Sequence, residues 1–336
     1  MTEHENIAVL GAGSWGTALA FALARNGHTV TLWAHRKSHC DDLSRDRANQ
    51  KYLAGFEFPD NIVVEQDLSK LVGSHTNYLL VTPSHAFRDT LKLLKQHKVS
   101  EQAHIAWATK GFDKQGPTLL SNVVEQELGQ GVARAIVSGP SFSKEVAGDL
   151  PTAITVAGDS PEFTRLVAKW FHGNNMRVYT NSDLIGVQIG GATKNVMAIA
   201  AGISDGFGFG ANSRSAIITR GLAEISRLGI ALGADPISFQ GLAGMGDLVL
   251  TCTDNQSRNR RLGLGLGKGM RLQEVMDEIG QEVEGYTTTP EVIRLANKHQ
   301  VEMPICEQVH RVLYEGVSAK EAVSVLLSRG LADEFE

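Results

Sequence analysis

The glycine motif near the start of the chain constrains the fold more than any other feature of the sequence. A strand-like run, Asn6–Leu10, leads directly into Gly11-Ala-Gly13-Ser-Trp-Gly16, and an alanine-rich helical run and a second strand-like run follow. In this context Gly11 allows a tight turn, Gly13 lets the backbone approach a pyrophosphate, and Gly16 lets the helix pack closely on the strand. The helix N-terminus then offers N–H groups to phosphates. The motif predicts a dinucleotide-binding βαβ unit; a glycine turn without a ligand is the alternative.

The first half of the chain alternates short apolar runs with longer stretches of helical spacing, which is typical of an α/β fold. The strand candidates are Asn6–Leu10, Thr29–Trp33, Ile62–Glu65, Tyr78–Thr82, His104–Ala108, Arg134–Val137, Thr152–Val156 and Arg177–Tyr179. Many are apolar throughout, so they predict a mostly parallel, Rossmann-like sheet with helices on both faces. Pro117–Leu128 and Pro161–Phe171 are helix candidates that open with proline, and Ser84 is a candidate cap for a helix that runs to His97.

The second half of the chain shows only helical patterns. The helix candidates are Val187–Ser204, Ser213–Leu232, Gly246–Thr251, Leu272–Ile279, Thr288–His299, Ile305–Tyr314 and Ala319–Ser328. A chain of 336 residues suggests two domains. We therefore predict a dinucleotide-binding domain at residues 1–183 and an all-helical domain that binds substrate and carries catalytic residues at 184–336.

Charge and cysteine content exclude several classes of partner. With 32 basic and 37 acidic residues the net charge is −5, which gives no general attraction for nucleic acid or an anionic membrane. No uninterrupted apolar run reaches the roughly 18 residues of a membrane span, and the acidic start is unlike a signal peptide. The 3 cysteines are too scattered for a disulfide framework or a paired metal site. We expect a cytoplasmic protein.

The segment after the second strand bears on the choice between NAD and NADP. An NAD-specific protein places an acid there for the ribose 2′-hydroxyl, whereas this chain has Ala34-His35-Arg36-Lys37. Because Arg36 can pair with a 2′-phosphate, with His35 beside it, we predict that NADP is accepted and favoured. An exposed basic turn is the alternative. His35, His39 and Cys40 resemble metal ligands, with Asp41 and Asp42 beside them, but no second pair lies at a known spacing, so we predict no metal.

A lysine in the second half stands out because its surroundings are almost wholly small or apolar. Lys194 lies in the run Gly190-Gly-Ala-Thr-Lys194-Asn195, and a lysine is rarely buried without a partner or a task. Farther on, Asp247 and Thr251 are four residues apart and would share a helix face. A lysine that snorkels to water and an aspartate that caps a helix are the simpler readings. The two glycines before Lys194 would let a cofactor or a neighbouring backbone approach.

Polar groups suited to an anionic ligand lie in three other segments. Lys110 follows a strand between two small residues, and Ser138-Gly-Pro-Ser141 follows another. Ser257-Arg258-Asn259 combines a planar guanidinium with two small polar residues, which suits the oxygens of a phosphate. Neither Arg258-Asn-Arg-Arg261 nor the glycine-rich stretch after it predicts a nucleic-acid site or a second nucleotide loop, because the first is short and the second lacks a preceding strand.

Taken together, these segments identify a family resemblance that spans nearly the whole chain. The chain resembles the soluble NAD(P)-dependent glycerol-3-phosphate dehydrogenases of bacteria in GAGSWGTALA near its start and in Ala108–Phe112, Ser138–Phe142, Ala192–Asn195, Leu242–Leu248, Ser257–Arg261 and Val283–Tyr286. The resemblance implies reversible hydride transfer between NADP(H) or NAD(H), as cosubstrate, and dihydroxyacetone phosphate, giving sn-glycerol 3-phosphate for phospholipid synthesis.

The resemblance also implies roles for individual residues. Lys194 would be the general acid and base, held in line by Asp247 and Thr251. Substrate contacts would be Lys110, Gly139, Ser141, Lys194, Asn195, Asp247, Ser257, Arg258 and Asn259. Cofactor contacts would be Gly11, Gly13, Ser14, Trp15, Gly16, His35, Arg36, Lys110, Ser143, Arg258, Glu282 and Glu284. Ser143 and Glu282 stand where the family more often has apolar residues.

Two other functions remain open at this point. A dehydrogenase of 3-hydroxy acids or of ketopantoate would share both halves and the lysine but would recognise a carboxylate rather than a phosphate. The chain could also be a catalytically silent NADP-binding sensor, although Lys194 with a nearly complete site speaks against this. The sequence does not fix the oligomeric state, and a homodimer is one possibility.

Overall fold

The strands of the first half pair into one eight-stranded sheet within residues 4–173 and 175–331, the part of the chain that the computed structural model describes. The strands are β1 (Asn6–Leu10), β2 (Thr29–Trp33), β3 (Ile62–Glu65), β4 (Asn77–Leu80), β5 (His104–Trp107), β6 (Ala133–Ser138), β7 (Thr152–Gly158) and β8 (Met176–Asn181). Their order is β3-β2-β1-β4-β5-β6-β7-β8, and only β6 and β7 pair antiparallel. The predicted fold class is confirmed.

The sheet topology places the glycine motif where a ligand is expected. β1 lies between β2 and β4, with Ile7 opposite both Val30 and Asn77. The strand order therefore reverses at β1, and open parallel sheets bind ligands outside the carboxyl ends of the strands at such a reversal. The glycine motif follows β1 without an intervening residue.

Helices cover the sheet and make up the second half. Those of the first half are α1 (Ser14–Arg25), α2 (Lys37–Asp46), α3 (Leu68–Ser74), α4 (Ser84–Gln96), α5 (Leu120–Leu128), α6 (Ser143–Ala147) and α7 (Pro161–Phe171). Those of the second half are α8 (Leu184–Gly206), α9 (Ala211–Ala231), α10 (Asp247–Thr253), α11 (Arg258–Gly267), α12 (Leu272–Ile279), α13 (Glu284–His299), α14 (Pro304–Tyr314) and α15 (Ala319–Leu327). A 3₁₀ helix, Pro236–Gln240, and a π-helix, Leu242–Gly246, precede α10.

Contacts divide the described residues into two units. The first comprises the residues up to Asp113 together with Thr118–Leu184, and the second comprises Lys114–Pro117 together with the residues from Ile185 onward. The first unit contains the sheet and α1 to α7. The second is built from helices.

Several helix ends differ from those predicted. The helix expected from Pro117 begins at Leu120, because Thr118 O accepts a hydrogen bond from Asp113 N at 3.0 Å and closes a loop before the helix. Ser84 is not a cap: Pro83 occupies the cap position, and Ser84 is the first helical residue. Pro161 does open α7, behind the capping side chain of Ser160.

Some helices that bear on function were not predicted, α2 and α11 among them. The segment after β2 was expected to be a loop, but α2 begins at Lys37. The glycine-rich stretch forms most of α11, where Gly263 and Gly267 meet the backbone of α8. A Cβ on either glycine would lie closer than 3.0 Å to a backbone oxygen of α8, so both must be glycine for the two helices to approach this closely.

The longest helix of the second half is a core element. α8 has 23 residues and is apolar enough to cross a membrane by length and composition, but 89% of its apolar window is buried within the protein. It is longer than the predicted Val187–Ser204. Its burial is what a core helix of a soluble domain shows.

Candidate active site

The glycine motif forms a loop that is closed on one side and open on the other. Gly11 has a φ of +125°, and a Cβ there would lie 2.6 Å from Val81 O; a Cβ on Gly16 would overlap the carbonyl of Gly11. A Cβ on Gly13, in contrast, would meet nothing within 4 Å. Gly13 is also the N-cap of α1 and offers no capping side chain. Gly13 therefore leaves open space at the N-terminus of α1, which fits a pyrophosphate.

Two side chains from later in the chain form hydrogen bonds to the backbone of this loop at Ala12. Asn49 Nδ2 donates to Ala12 O at 3.0 Å and to Thr17 Oγ1 at 2.8 Å, and Asn49 is 1% exposed. His39 Nε2 lies 3.1 Å from the same carbonyl. Sequence reasoning considered His39 only as a metal ligand and did not single out Asn49. Nothing in the sequence marked Asn49, because it lies in a polar stretch, residues 45–51.

The basic residues after β2 are exposed. Arg36 is the residue before α2, and His35 lies edge-on to Trp33 with ring centroids 6.0 Å apart. Cys40 is buried, and its thiol donates to Ala34 O at 3.2 Å. Within the described ranges, 4–173 and 175–331, no group of three or more His, Cys, Asp or Glu residues could hold a metal ion.

Lys110, Gly139 and Ser141 lie together at the ends of β5 and β6. Lys110 Nζ lies 3.4 Å from Gly139 O, and Ser141 Oγ donates to the same carbonyl at 3.0 Å. Gly139 has a φ of +133°, which a side chain would strain. Thr109 Oγ1 donates to Thr82 O at 2.7 Å and fixes the strand end before Lys110. Ser143, the first residue of α6, is half-buried.

Lys194 is buried in the second unit, where its ammonium forms hydrogen bonds to two side chains. It is 6% exposed, its ammonium donates to Asp247 Oδ1, and it donates to Thr251 Oγ1 at 2.7 Å. Thr251 in turn donates to the backbone oxygen of Asp247 at 2.7 Å. Lys194 therefore does not snorkel to water. Asp247 is 1% exposed and pairs with the lysine instead of capping the helix.

The π-helix brings Asp247 to the lysine. A Cβ on Gly190 would lie 2.7 Å from Ala243 O in the π-helix. Of the two partners that sequence reasoning left open for this glycine, the structure places a neighbouring backbone there. The extra residue of a π-helical turn shifts the side chains that follow it, and such turns are frequent at functional sites.

Hydrogen bonds between side chains join Asn195, the residue after Lys194, to α11 and α13. Asn259 Nδ2 donates to Asn195 Oδ1 at 2.9 Å, and Asn195 Nδ2 donates to Glu284 Oε2 at 3.2 Å. Gly285 N donates to Asn259 Oδ1 at 2.8 Å. Both amides are therefore fixed in orientation. Glu284 is the first residue of α13, and the half-buried Glu282 lies just before it.

Ser257 and Arg258 begin α11. The Ser257 hydroxyl accepts from Arg260 N at 3.2 Å, so it caps the helix, a use that the sequence analysis did not assign to it. Arg258 is half-buried, and its Nη1 lies 3.4 Å from Gln281 Oε1. Cys252, behind Thr251, is fully buried, and burial raises the pKa of its thiol to about 12. It is therefore a packing residue and not a nucleophile.

Comparisons with known proteins agree across both halves of the chain. The model of the N-terminus of NAD-dependent glycerol-3-phosphate dehydrogenase matches residues 6–164, and the model of its C-terminus matches residues 183–324. The chain belongs to this family.

Individual relatives match over nearly their full length. Glycerol-3-phosphate dehydrogenase [NAD(P)+] of Colwellia psychrerythraea is 56% identical over 330 residues, with 98% of each chain covered. The enzyme of that name from Serratia proteamaculans is 52% identical, covering 99% of this chain and 98% of its own. The crystal structure of glycerol-3-phosphate dehydrogenase from Coxiella burnetii has a TM-score of 0.94 at 47% identity and covers 97% of this chain and 99% of that one. The predicted family and NAD(P) dependence are confirmed.

Proposed function

We propose that this chain is an NAD(P)-dependent glycerol-3-phosphate dehydrogenase that reduces dihydroxyacetone phosphate to sn-glycerol 3-phosphate, reversibly, and so supplies a precursor of phospholipids. The observation that carries the proposal is the buried ammonium of Lys194 between Asp247 and Thr251, in a chain of this family. A buried ion pair is often no more stabilising than well-packed apolar residues, so stability alone does not account for an ammonium at this position, which supports a chemical role for it.

The proposed chemistry divides between the cosubstrate and Lys194. The glycine loop would hold NADPH or NADH, which when bound would supply a hydride to the carbonyl carbon. As the hydride adds, the C–O π electron pair moves to the carbonyl oxygen. Lys194 donates a proton to this oxygen and becomes a neutral amine. Thr251 and Asp247 keep Nζ in one position during this transfer, since each accepts one of its N–H bonds. In the reverse direction the amine takes the proton from the C2 hydroxyl.

Arg258 is proposed to bind the substrate phosphate. It is the first residue of α11, where its guanidinium and the helix N-terminus both favour an anion. Ser257, Asn259 and Asn195 are proposed to contact the same substrate. The contacts implied for the first unit, Lys110, Gly139 and Ser141, stay predictions.

The cofactor contacts are likewise proposed residue by residue. The open loop at Gly13, with Gly11, Ser14, Trp15 and Gly16, supports binding of the pyrophosphate. The proposed contacts outside this loop are His35, Arg36, Lys110, Ser143, Arg258, Glu282 and Glu284. The exposure of Arg36 leaves its guanidinium accessible to a 2′-phosphate.

One assay tests the proposal against its alternatives. NADPH and NADH oxidation is measured with dihydroxyacetone phosphate, with ketopantoate and with unphosphorylated dihydroxyacetone. Fast turnover confined to the phosphorylated ketone is expected. Turnover of ketopantoate in its place would assign the chain to the carboxylate-recognising dehydrogenases, and NADPH binding without any turnover would identify a sensor.

Location and assembly are proposed with the function. The buried, unlinked thiols of Cys40, Cys252 and Cys306 suit a reducing cytoplasm. A homodimer is proposed as well, and its test is the molar mass of the purified protein in solution.

A further inference from the structure

Arg260 lies in the first turn of α11 and makes no contact that the proposed chemistry assigns to it. It is 8% exposed although its neighbour Arg261 is exposed. Its Nε donates to Cys252 O at 3.1 Å, its Nη1 donates to the Asn255 side chain, and its Nη2 donates to Asp205 Oδ2 at 2.5 Å. One planar guanidinium therefore reaches three separate segments.

Each of these segments carries part of the proposed site. Cys252 follows Thr251 in the last turn of α10. Asn255 lies in the short loop between α10 and α11, which leads into Arg258. Asp205 is in the last turn of α8, the helix of Lys194. The groups bonded by Arg260 thus lie on the elements that hold the proton donor, its hydroxyl partner and the phosphate-binding arginine.

The geometry also explains why this residue is arginine. Its three acceptors, a backbone carbonyl, an amide oxygen and a carboxylate, lie in different directions around the guanidinium. A lysine offers one nitrogen at the end of a flexible chain and cannot reproduce a fork of this shape. Asp205 compensates the buried charge, and it also accepts from Arg214 Nη1 at 3.0 Å.

We infer that Arg260 is a positioning residue for the reaction: by joining α8, α10 and the loop before α11, it holds Thr251 against Lys194 and aims Arg258 at the substrate phosphate. The inference rests on the proposed function. We call the three hydrogen bonds of Arg260, to Cys252 O, Asn255 and Asp205, the Arg260 clamp. Displacement of reacting groups by about 1 Å can lower a rate by about 10²-fold, so loss of the clamp should lower the catalytic rate.

The test compares Arg260→Lys with Arg214→Gln, which changes the other partner of Asp205 and leaves the clamp intact. For Arg260→Lys we expect kcat/KM for dihydroxyacetone phosphate to fall at least about tenfold, with a higher KM for that substrate and a KM for NADPH within about twofold of the wild-type value. Arg214→Gln is expected to keep both constants within about twofold. A merely structural loss would instead lower the active fraction, and with it kcat, at unchanged KM, and that pattern would overturn the inference.

A second pair of variants covers the case in which Arg260→Lys does not fold. Asn255 is exposed, so Asn255→Ala removes one arm of the clamp at little risk to folding. Asn255→Asp keeps an acceptor for the guanidinium. The first should raise KM for dihydroxyacetone phosphate about threefold or more, and the second should stay near wild type. Equal kinetics for the two variants would overturn the inference. A wild-type protein that fails to reduce dihydroxyacetone phosphate would instead refute the proposed function, and this inference with it.

Discussion

The charge of Lys194 shows how strongly one residue can depend on its partners. An unpaired buried ammonium costs several kcal/mol, and removal of one partner from a buried ion pair costs about 3–5 kcal/mol. Lys194 meets a carboxylate and a hydroxyl, both buried. The sequence marked this lysine because apolar neighbours surround it, and it marked the spacing of Asp247 and Thr251. The family resemblance implied that the three would meet, but the residue pattern alone did not show it, because the partners lie more than 50 residues away.

Replacement of Lys194 by alanine tests its role as proton donor. Loss of a general acid lowers kcat by at least about 10²-fold, and NADPH affinity, measured by fluorescence titration, should stay within about twofold. Lys298→Ala, an exposed lysine on α13, serves as the control and should leave kcat unaltered. An alanine variant within about fivefold of wild-type kcat would remove Lys194 from the role.

Replacement of Arg258 by alanine tests the phosphate site. Loss of a charge-assisted contact should remove about 1.5–3 kcal/mol of transition-state stabilisation. This corresponds to a fall in kcat/KM for dihydroxyacetone phosphate of about 10- to 150-fold. Activity toward unphosphorylated dihydroxyacetone should change far less. The exposed Arg261 gives the matched control, Arg261→Ala, with little effect on either substrate. Equal losses on both substrates would show that Arg258 supports the cofactor or the fold.

Replacement of Arg36 by alanine tests the preference for NADP. The guanidinium is exposed, so its pairing with a 2′-phosphate is partly screened by water. We expect KM for NADPH to rise about tenfold, which corresponds to about 1.4 kcal/mol, while KM for NADH stays nearly unaltered. A similar rise for both cofactors would mean that Arg36 contacts the adenine or holds the start of α2.

At the scale of elements, the strands were predictable and some helices were not. All eight strand candidates occur, because apolar runs bounded by turn residues have few other uses. α11 escaped prediction since each glycine in a helix costs about 1 kcal/mol relative to alanine. Gly263 and Gly267 face the backbone of α8, and close packing between the two helices outweighs that local preference. The contacts of Arg260 were not predictable for a different reason: its partner Asp205 is 55 residues away in the sequence.

Replacement of Gly263 by alanine tests the packing of α8 on α11. The added Cβ would lie closer than 3.0 Å to Ile199 O and to Ile203 N, both backbone atoms that cannot yield as a side-chain end can. We expect a loss of stability of about 1–3 kcal/mol and a lower kcat, because Lys194 and Arg258 lie on the separated helices. Gly73→Ala in α3, where a Cβ meets nothing within 4 Å, is the control and should be neutral or slightly stabilising. Equal unfolding midpoints for the two variants would contradict this account.

At the scale of the whole molecule, stability depends on a buried acid to which the proposed chemistry assigns no role. Glu224 of α9 is 2% exposed and accepts hydrogen bonds from Ile305 N at 2.7 Å and Cys306 N at 3.2 Å. It thereby joins α9 to the start of α14, 80 residues later in the chain. Burial raises the pKa of this carboxyl to about 7 from 4.5, and the two N–H groups oppose the rise only in part.

This raised pKa predicts how unfolding depends on pH. The folded state keeps the proton of Glu224 up to about pH 7, whereas the unfolded chain releases it near pH 4.5. The stabilisation is therefore complete below pH 4.5, falls as the pH rises to 7, and changes no further above that pH. The gap between the two pKa values corresponds to about 3 kcal/mol.

Glu224→Gln does not titrate, so its free energy of unfolding relative to wild type should rise by about this amount between pH 5 and 8 in urea titrations. If the Glu224→Gln difference were instead constant, the carboxyl would be ionised throughout in the folded state, held by the two N–H groups at the N-terminus of α14.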